Sequence, residues 1–263
     1  AAGPGGGPHI RGFRQDGSPF LSFFPYDPRF SGGVNVAVGD VLGDETLEII
    51  TGAGSGGGPH VRVFSATGVL QTGFFAYAVG FTGGVNVAVA NVDGIGKSEI
   101  VTGAGPGGGP HVRIFSGTGE PQGGFFPYDP AFTGGVDVAG GDLGPSVGDE
   151  IVTGAGAGGG PHIRVFEPDG SIISSFFAYN TGFTGGVRVA TSNVDGSGLL
   201  EIVTGPGPGG GPHLRIFTSD GTVSGGGFLF DPSFTGGIDV AGHGDLLGAS
   251  AYQQDATLRL QRF

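Results

Sequence analysis

The stretch GGGPHVRVF, residues 56–64, decides the fold, because it returns along the whole chain at a fixed interval. A second word, FTGGV at residues 81–85, returns with small changes at the same interval. Self-similarity at roughly 20–50 residues is typical of stacked or circular repeats, in which no unit buries its core alone. The step is 51 residues, as the histidines of the first word show: His9, His60, His111, His162 and His213.

Within one repeat the side chains alternate between apolar and polar, which is the periodicity of β-strands. Turn sequences such as Asp16-Gly17 and Asp169-Gly170 separate the strands and are strong hairpin signals. No stretch shows a helical period. We name the four strands of a unit A to D; in one unit they are GGVNVAV (83–89), EIVTGAG (99–105), HVRIF (111–115) and FFPY (125–128).

Four short antiparallel strands per unit, repeated around an axis, are typical of a β-propeller blade. The sequence therefore predicts an all-β fold, a five-bladed β-propeller with four antiparallel strands per blade. Residues 1–263 would form a single domain of five 51-residue repeats. The repeats are circularly offset from the blades, because the chain starts at the end of a B strand.

The two chain ends are predicted to share one blade. A C strand lies at residues 9–13, and the last A strand lies at residues 236–242. The tail AYQQDATLRLQRF, residues 251–263, still alternates, with Leu258 and Leu260 on one face. We predict that this tail is the missing B strand and lies between the other two segments, so that N- and C-terminal strands close the ring.

Composition excludes several kinds of protein. The chain has no cysteine, so disulfides and thiolate sites are impossible. No run of about 18 apolar residues predicts a membrane span. The net charge of −12 disfavours nucleic acid as a partner, since phosphates require basic patches. The metalloprotease motif HExxH is absent. We expect a monomer.

A second ladder keeps the 51-residue step but changes residue type. It lies near the start of strand A, the innermost strand of a blade, so side chains from all five blades should converge at the axis. Divergent polar residues there suggest a site for a polyol, a carboxylate or a hydrated cation, and the alternative is a solvated channel mouth. These candidate ligand-binding residues are Asn35, Asn86, Asp137, Arg188 and Asp239.

The five histidines of the first word are the other candidate ligand-binding set. Strand C lies roughly 10 Å farther from the axis than strand A, because neighbouring strands are about 4.8 Å apart. Five histidines at that radius cannot share one metal ion, whose bonds to nitrogen are about 2.1 Å long. Each histidine can still join a separate site between blades. The alternative is a framework role, in which it bonds its own glycine-rich loop.

Three other residue types recur once per repeat. The arginine of strand C, such as Arg113, is predicted to be a paired structural residue. The tyrosine after strand D, such as Tyr128, either extends the core or stacks against a sugar. The phenylalanine two positions before that tyrosine site is predicted to be core in every copy: Phe24, Phe75, Phe126, Phe177 and Phe228.

The loops between strands A and B read GDVLGDETLEIITG (39–52), NVDGIGKSEIVTG (91–103) and NVDGSGLLEIVTG (193–205). They resemble the FG-GAP and VCBS-type propeller repeats of integrin α-subunit heads and many bacterial extracellular proteins. The resemblance covers the whole chain, once per blade. It implies a propeller fold and an extracellular or secreted location.

The same resemblance implies Ca²⁺ as a cofactor, bound by oxygen ligands in the A–B loops. Ca²⁺ prefers about six to eight hard oxygens, and these loops offer three or four side-chain oxygens each. The alternative is an Asx-type turn without metal. The residues matched to ligand positions are Asp40, Asp44, Glu48, Asn91, Asp93, Glu99, Asn193, Asp195, Ser197 and Glu201.

Three functions remain open from the sequence. The first is an extracellular repeat-propeller binding module for a carbohydrate or protein ligand, with or without Ca²⁺. The second is a metal-dependent hydrolase of phosphoesters or other esters, with an axial or histidine-containing site. The third is a structural fragment of a longer repeat array. Equivalent sites in several blades would favour binding, and one asymmetric site would favour an enzyme.

Overall fold

The computed structural model describes residues 1–244, 246–251 and 259–261. Every regular element in these residues is a β-strand, so none of them forms a helix able to cross a membrane. The sheets adopt a β-propeller arrangement with four complete blades of four antiparallel strands. The predicted all-β propeller with four-stranded blades is therefore confirmed, whereas the structure gives four complete blades and not five.

The chain begins with a two-stranded sheet and continues through the four complete blades. The first sheet consists of β1 (Ile10–Phe13) and β2 (Pro19–Phe23). Blade I consists of β3 (Val34–Gly39), β4 (Glu48–Ala53), β5 (His60–Phe64) and β6 (Leu70–Phe75). Blade II consists of β7 (Val85–Ala90), β8 (Glu99–Ala104), β9 (Val112–Phe115) and β10 (Pro121–Phe125).

The second half of the chain repeats this order and ends in a three-stranded sheet. Blade III consists of β11 (Val136–Gly141), β12 (Glu150–Ala155), β13 (His162–Phe166) and β14 (Ile172–Phe177). Blade IV consists of β15 (Val187–Ser192), β16 (Glu201–Pro206), β17 (His213–Phe217) and β18 (Val223–Phe228). The last sheet consists of β19 (Ile238–His243), β20 (Leu246–Ala251) and β21 (Arg259–Gln261).

The core lies between blades, because each sheet packs its faces on its neighbours. Val101, Val112 and Ile114 of blade II are buried against Val136 and Val138 of blade III. Burial of one such aliphatic side chain is worth about 1.5–3 kcal/mol. A blade therefore has no core of its own, as expected for a repeat architecture.

A glycine in each second strand lets the next blade approach closely. A Cβ atom added at Gly103 would lie 2.3 Å from the carbonyl oxygen of Val136 in the next blade. Only glycine fits there, since real Cβ atoms do not come that close to backbone. The last sheet departs from this rule, because the register pairs Asp239 with Ser250 where blade II pairs Asn86 with Gly103.

The predicted closing blade is wrong in its strand assignment. The second strand beside β19 is β20, and the tail supplies only β21, which pairs with the far edge of β20. In the described chain β1 pairs with β2 alone and not with the tail. Residues 252–258, including Leu258, lie outside the described residues. The tail is not the B strand, because residues 246–251 occupy that position beside β19.

The seam before blade I is open. In blades II and III the inner-strand valines Val87 and Val138 are 8% and 5% exposed, because the second strand of the preceding blade covers them. The equivalent Val36 of β3 is 38% exposed, and Val38, two residues further along the same strand, is 45% exposed. The two-stranded sheet nevertheless occupies a blade position, since Gly5 N donates to Ser31 O over 2.8 Å, as happens between later units.

Candidate functional site

A cavity of about 670 Å³ runs along the propeller axis and is lined by residues of β3, β7, β11, β15 and β19. The structure brings the whole predicted polar ring to this cavity. Its lining presents polar and apolar surface in about equal amounts, with Val89, Ala139 and Leu200 among the apolar residues. The ring members that line it are Asn35, Asn86, Asp137, Arg188 and Asp239.

On one side of the ring the side chains are amides that bond to the next blade. The Asn35 side-chain amide donates to the carbonyl oxygen of Val85 and to Oδ1 of Asn86, both over 2.9 Å. The Asn86 amide donates to the carbonyl oxygen of Val136 over 2.6 Å. These bonds tie the inner strands together, so part of the ring has a structural role.

The other side of the ring is charged. Val189 N donates to Oδ2 of Asp137 over 2.9 Å, and Arg188 Nε lies 3.3 Å from Oδ1 of Asp239. Burial raises the pKa of Asp137 to about 6, and the nearby Arg188 guanidinium only partly offsets this. The cavity mouth is therefore asymmetric, with an acid that titrates near neutral pH on one side only.

The predicted histidine set does not converge but lies in separate blades. Each imidazole stacks on the half-exposed phenylalanine at the end of strand D in its own unit. The His111 and Phe126 rings, for example, are 4.4 Å apart at an interplanar angle of 10°. The other pairs are His9–Phe24, His60–Phe75, His162–Phe177 and His213–Phe228.

The repeated tyrosines and arginines connect one unit to the next. The Tyr77 hydroxyl lies 2.7 Å from the carbonyl oxygen of His111 and 3.1 Å from that of Thr102. Arg113 Nη1 donates to the carbonyl oxygen of Ala76 over 2.5 Å. Burial raises the pKa of the Tyr77 hydroxyl far above its usual range. Tyrosine thus extends the core, and arginine is paired with backbone.

The five phenylalanines predicted as core are not core. Their exposed fractions run from 46% for Phe75 to 58% for Phe228. The preceding residue of each Phe-Phe pair faces inward instead, as Phe74 does against Phe115 of the next blade. Strand alternation contained this signal, since two consecutive residues of one strand face opposite sides.

In the A–B loops the glutamates matched to calcium ligands are buried and serve the backbone. Glu48 Oε2 accepts from Val41 N over 3.0 Å, and Glu201 Oε2 accepts from Val194 N over 2.6 Å. Glu99 does the same with Val92 N, and burial, with the nearby Asp93 charge, raises the pKa of Glu99. These hydrogen bonds connect the backbone at the start of each loop to the first residue of strand B.

The loop aspartates form Asx-type turns. Asp195 Oδ1 accepts from Ser197 N over 2.7 Å, and this bond lowers the pKa of Asp195. Asp44 bonds Thr46 in the same way. No group of three or more His, Cys, Asp or Glu side chains clusters in the described part of the chain. The donor set thus fits Ca²⁺ poorly, except that Asn91 Oδ1 is buried without a hydrogen-bond partner. Calcium binding stays a prediction.

No protein-family model and no curated protein matches the chain. Solved structures match it over most of its length. A virginiamycin B lyase from Staphylococcus aureus aligns at 11% identity with a TM-score of 0.59, covering 93% of this chain and 71% of the lyase. BBS1N, solved in complex with ARL6DN, aligns at 15% identity with a TM-score of 0.54, covering 97% and 71%.

The V. cholerae biofilm matrix protein Bap1 aligns at 19% identity with a TM-score of 0.49, covering 88% of this chain. This chain spans 34% of the length of Bap1. At these identities the likenesses show the fold alone, because unrelated functions share one propeller architecture. The function must therefore be argued from the site.

Proposed function

We propose that this protein is an extracellular repeat-propeller binding module of the FG-GAP and VCBS type, which binds a carbohydrate at the mouth of its axial cavity. One observation carries the proposal. The repeats differ in charge at the ring around the cavity, whereas the repeated His, Arg and Tyr residues serve the framework. A single ligand on the axis contacts all blades at once and requires such an asymmetric ring.

The chemistry of the ring suits a polyol. Carboxylates accept hydrogen bonds from hydroxyl groups, and a guanidinium donates to them. Asp137, Asp239 and Arg188 supply these groups on one side, and apolar walls such as Val89 and Ala139 lie beneath. Concave sites in which polar groups converge beside apolar surface are typical ligand sites.

The test is the double variant D137A/D239A, compared with the double variant D16A/D169A at exposed hairpin-turn positions. Binding is measured by titration calorimetry with a panel of monosaccharides and disaccharides, and folding by circular dichroism. We expect the axial variant to lose at least tenfold in affinity while its fold persists, because the mouth contributes little to the core. Full binding by the axial variant contradicts the proposal.

The second candidate is a hydrolase of phosphoesters or other esters at the same mouth. The observation in its favour is the acid Asp137, whose pKa is raised to about 6 by burial. A carboxyl group that titrates near neutral pH is suited to general acid–base work. Activity on nitrophenyl phosphate and acetate esters, lost in D137N, would replace the binding module with this function.

We also propose that the ring closes as five blades. Two features support closure: β19 and β3 line one cavity, and β21 pairs Arg259 with Ala249 as β9 pairs Arg113 with Thr102. The third strand of the last sheet is therefore in the register of a C strand. If β1 took the place of β21 on β20, it would complete a fifth blade and the seam would close over Val36 and Val38.

A further inference from the structure

We propose that the rim of the propeller carries five equivalent carbohydrate-binding platforms, each a half-exposed phenylalanine ring backed by a histidine. This inference goes beyond the axial site, because it concerns other residues on another surface. The platforms are the pairs His9–Phe24, His60–Phe75, His111–Phe126, His162–Phe177 and His213–Phe228.

All five pairs have nearly the same geometry. Ring centroids lie 4.4 Å apart in His111–Phe126 and 4.6 Å apart in His60–Phe75, with interplanar angles of 10° and 20°. The phenylalanine at each pair remains about half exposed, 46% at Phe75 and 50% at Phe126. The same aromatic side chain is thus stacked on a histidine and left half exposed at the same place in every unit.

In four of the five platforms a buried tyrosine hydroxyl bonds to the main-chain oxygen of the histidine. The carbonyl oxygen of His111 accepts from the buried Tyr77 hydroxyl, and the same contact recurs at His60 from Tyr26. In two units the imidazole Nε2 also lies at hydrogen-bonding distance from a serine hydroxyl, 2.8 Å in the case of His162 and Ser175. Because the phenylalanine ring is stacked on this histidine, it loses little conformational entropy when a ligand stacks on its other face.

Space beside the ring is kept open by the last glycine of the GGGPH word. A Cβ added at Gly109 would lie 3.6 Å from Cε1 of Phe126 and 3.4 Å from the carbonyl oxygen of Pro130. The Phe126 ring and the Tyr-Asp-Pro turn therefore lie beside the same glycine. Asp129 in that turn is exposed, with Oδ1 bonded to Ala131 N.

These features favour a saccharide over a protein as the ligand. A flat aromatic face with an adjacent carboxylate matches the two sides of a pyranose, whose apolar C–H face stacks on a ring and whose hydroxyls bond to carboxylate oxygens. The rings are single and repeat once per blade, whereas a protein interface requires one continuous patch. The same His–Phe stack repeated around a circle fits a polymer of repeating units, and a carboxylate lies three residues after the ring in the units with Asp27, Asp129 and Asp231.

The repeat also makes the array multivalent. Weak individual sites acting together raise the overall affinity by about 10²–10⁴ when one ligand reaches several of them. A polysaccharide should therefore bind far more tightly than its own monosaccharide. The platform of blade I, His60–Phe75, lacks the carboxylate, because Ala78 occupies the position of Asp129 while the turn is otherwise kept. It can therefore be compared with the platform His111–Phe126, which has the carboxylate.

The experiment replaces the five platform phenylalanines by leucine, which keeps an apolar side chain but removes the flat face. The matched control is Phe20→Leu, since Phe20 is 54% exposed and stacks on no histidine. The probes are soluble β-glucan, mannan and galactan in affinity electrophoresis. We expect the wild type to be retarded by at least one of them, and the fivefold variant to lose at least tenfold in affinity. Phe20→Leu should bind as the wild type does.

A second measurement uses the wild type alone and decides the matter if the fivefold variant does not fold. Saturation of the protein's aromatic protons should transfer to ring protons of the retained saccharide. The proposal is overturned if no polysaccharide retards the wild type or if the folded fivefold variant binds with unchanged affinity. It is also overturned if Phe20→Leu loses as much affinity as that variant, or if no saturation transfer to the saccharide is seen. D137A/D239A should keep rim binding, so failure of the axial proposal is seen separately.

Discussion

The hydroxyl of Tyr77 lies 2.7 Å from the main-chain oxygen of His111, which belongs to the next blade. The same hydroxyl is 3.1 Å from both oxygens of Thr102. One hydroxyl at the end of a unit thus contacts two strands of the following unit, and its single proton is closest to the main-chain oxygen of His111. The contact recurs at Tyr26, Tyr128 and Tyr179.

Removing this hydroxyl should loosen the joint between two blades. We expect Tyr77→Phe to lower the free energy of unfolding by about 0.5–1.5 kcal/mol, because it removes one buried hydrogen bond while the ring keeps its packing. The main-chain oxygen of His111 keeps its bond from Ala104 N over 3.1 Å. Urea unfolding followed by circular dichroism measures the change. The comparison is Phe230→Tyr at the fifth position, where the sequence has no hydroxyl. An unchanged urea midpoint for Tyr77→Phe would show that this hydroxyl does not stabilise the contact between the two blades.

Acid should destabilise the fold through the stacked histidines. Burial, with a smaller effect of Arg113, lowers the pKa of His111 below its ordinary 6.5, and His60, His162 and His213 are lowered in the same way. The unfolded chain therefore binds protons more readily than the folded one, so stability is full above pH 6.5 and falls as the pH drops below it.

The pH dependence is measured as the urea midpoint between neutral and mildly acidic pH. The reference is a variant with all four of these histidines replaced by phenylalanine, which keeps a stacked ring but cannot be protonated. We expect the wild-type midpoint to fall more steeply with acid than that of the variant. Parallel curves would show that the histidines do not cause the loss.

Calcium, if it binds, should stabilise the fold most through the fourth A–B loop, where Asn193, Asp195, Ser197 and Glu201 match ligand positions. A ligand at 100 times its dissociation constant adds about 2.7 kcal/mol to the free energy of unfolding. Melting temperatures in Ca²⁺ and in EDTA measure this, with Asp195→Ala as the variant that should lose the response. Asn91→Ala tests the loop with the orphaned buried oxygen. Identical melting in both buffers argues against any such site.

Closure of the ring can be tested by engineered disulfides, since the chain has no cysteine of its own. In the structure Ala249 pairs with Arg259, and the register of the other blades would pair Ala249 with Arg11 after closure. We expect the pair R11C/A249C to cross-link within one chain under mild oxidation. The reference pair A249C/R259C reports the arrangement with β21.

Each result of that experiment has a separate meaning. An intramolecular bond in R11C/A249C supports the five-bladed ring. A bond only in A249C/R259C leaves four complete blades with two partial sheets, and a bond between chains means that a second copy fills the seam. Ser250 works against closure, because the other blades have glycine where β3 would approach.

Much of the site was visible in the sequence, because the 51-residue step identifies equivalent positions without any structure. It predicted that Asn35, Asn86, Asp137, Arg188 and Asp239 lie together, and they line one cavity. It did not show that Asn35 bonds to Asn86 across the blade joint. The exposed phenylalanines were missed although alternation in strand D pointed to them.

The sequence by itself determined the all-β fold and the four-stranded unit, because alternation, turn residues and repeat spacing are local properties of the chain. The predicted bounds of the fourth strand were wrong, since β10 spans Pro121–Phe125 and not residues 125–128. Only the tertiary structure decided which face of each strand is covered, which partner each polar side chain has, and where β20 and β21 lie. Those outcomes depend on packing between blades, and Val36 differs from Val87 only in whether a preceding strand covers it.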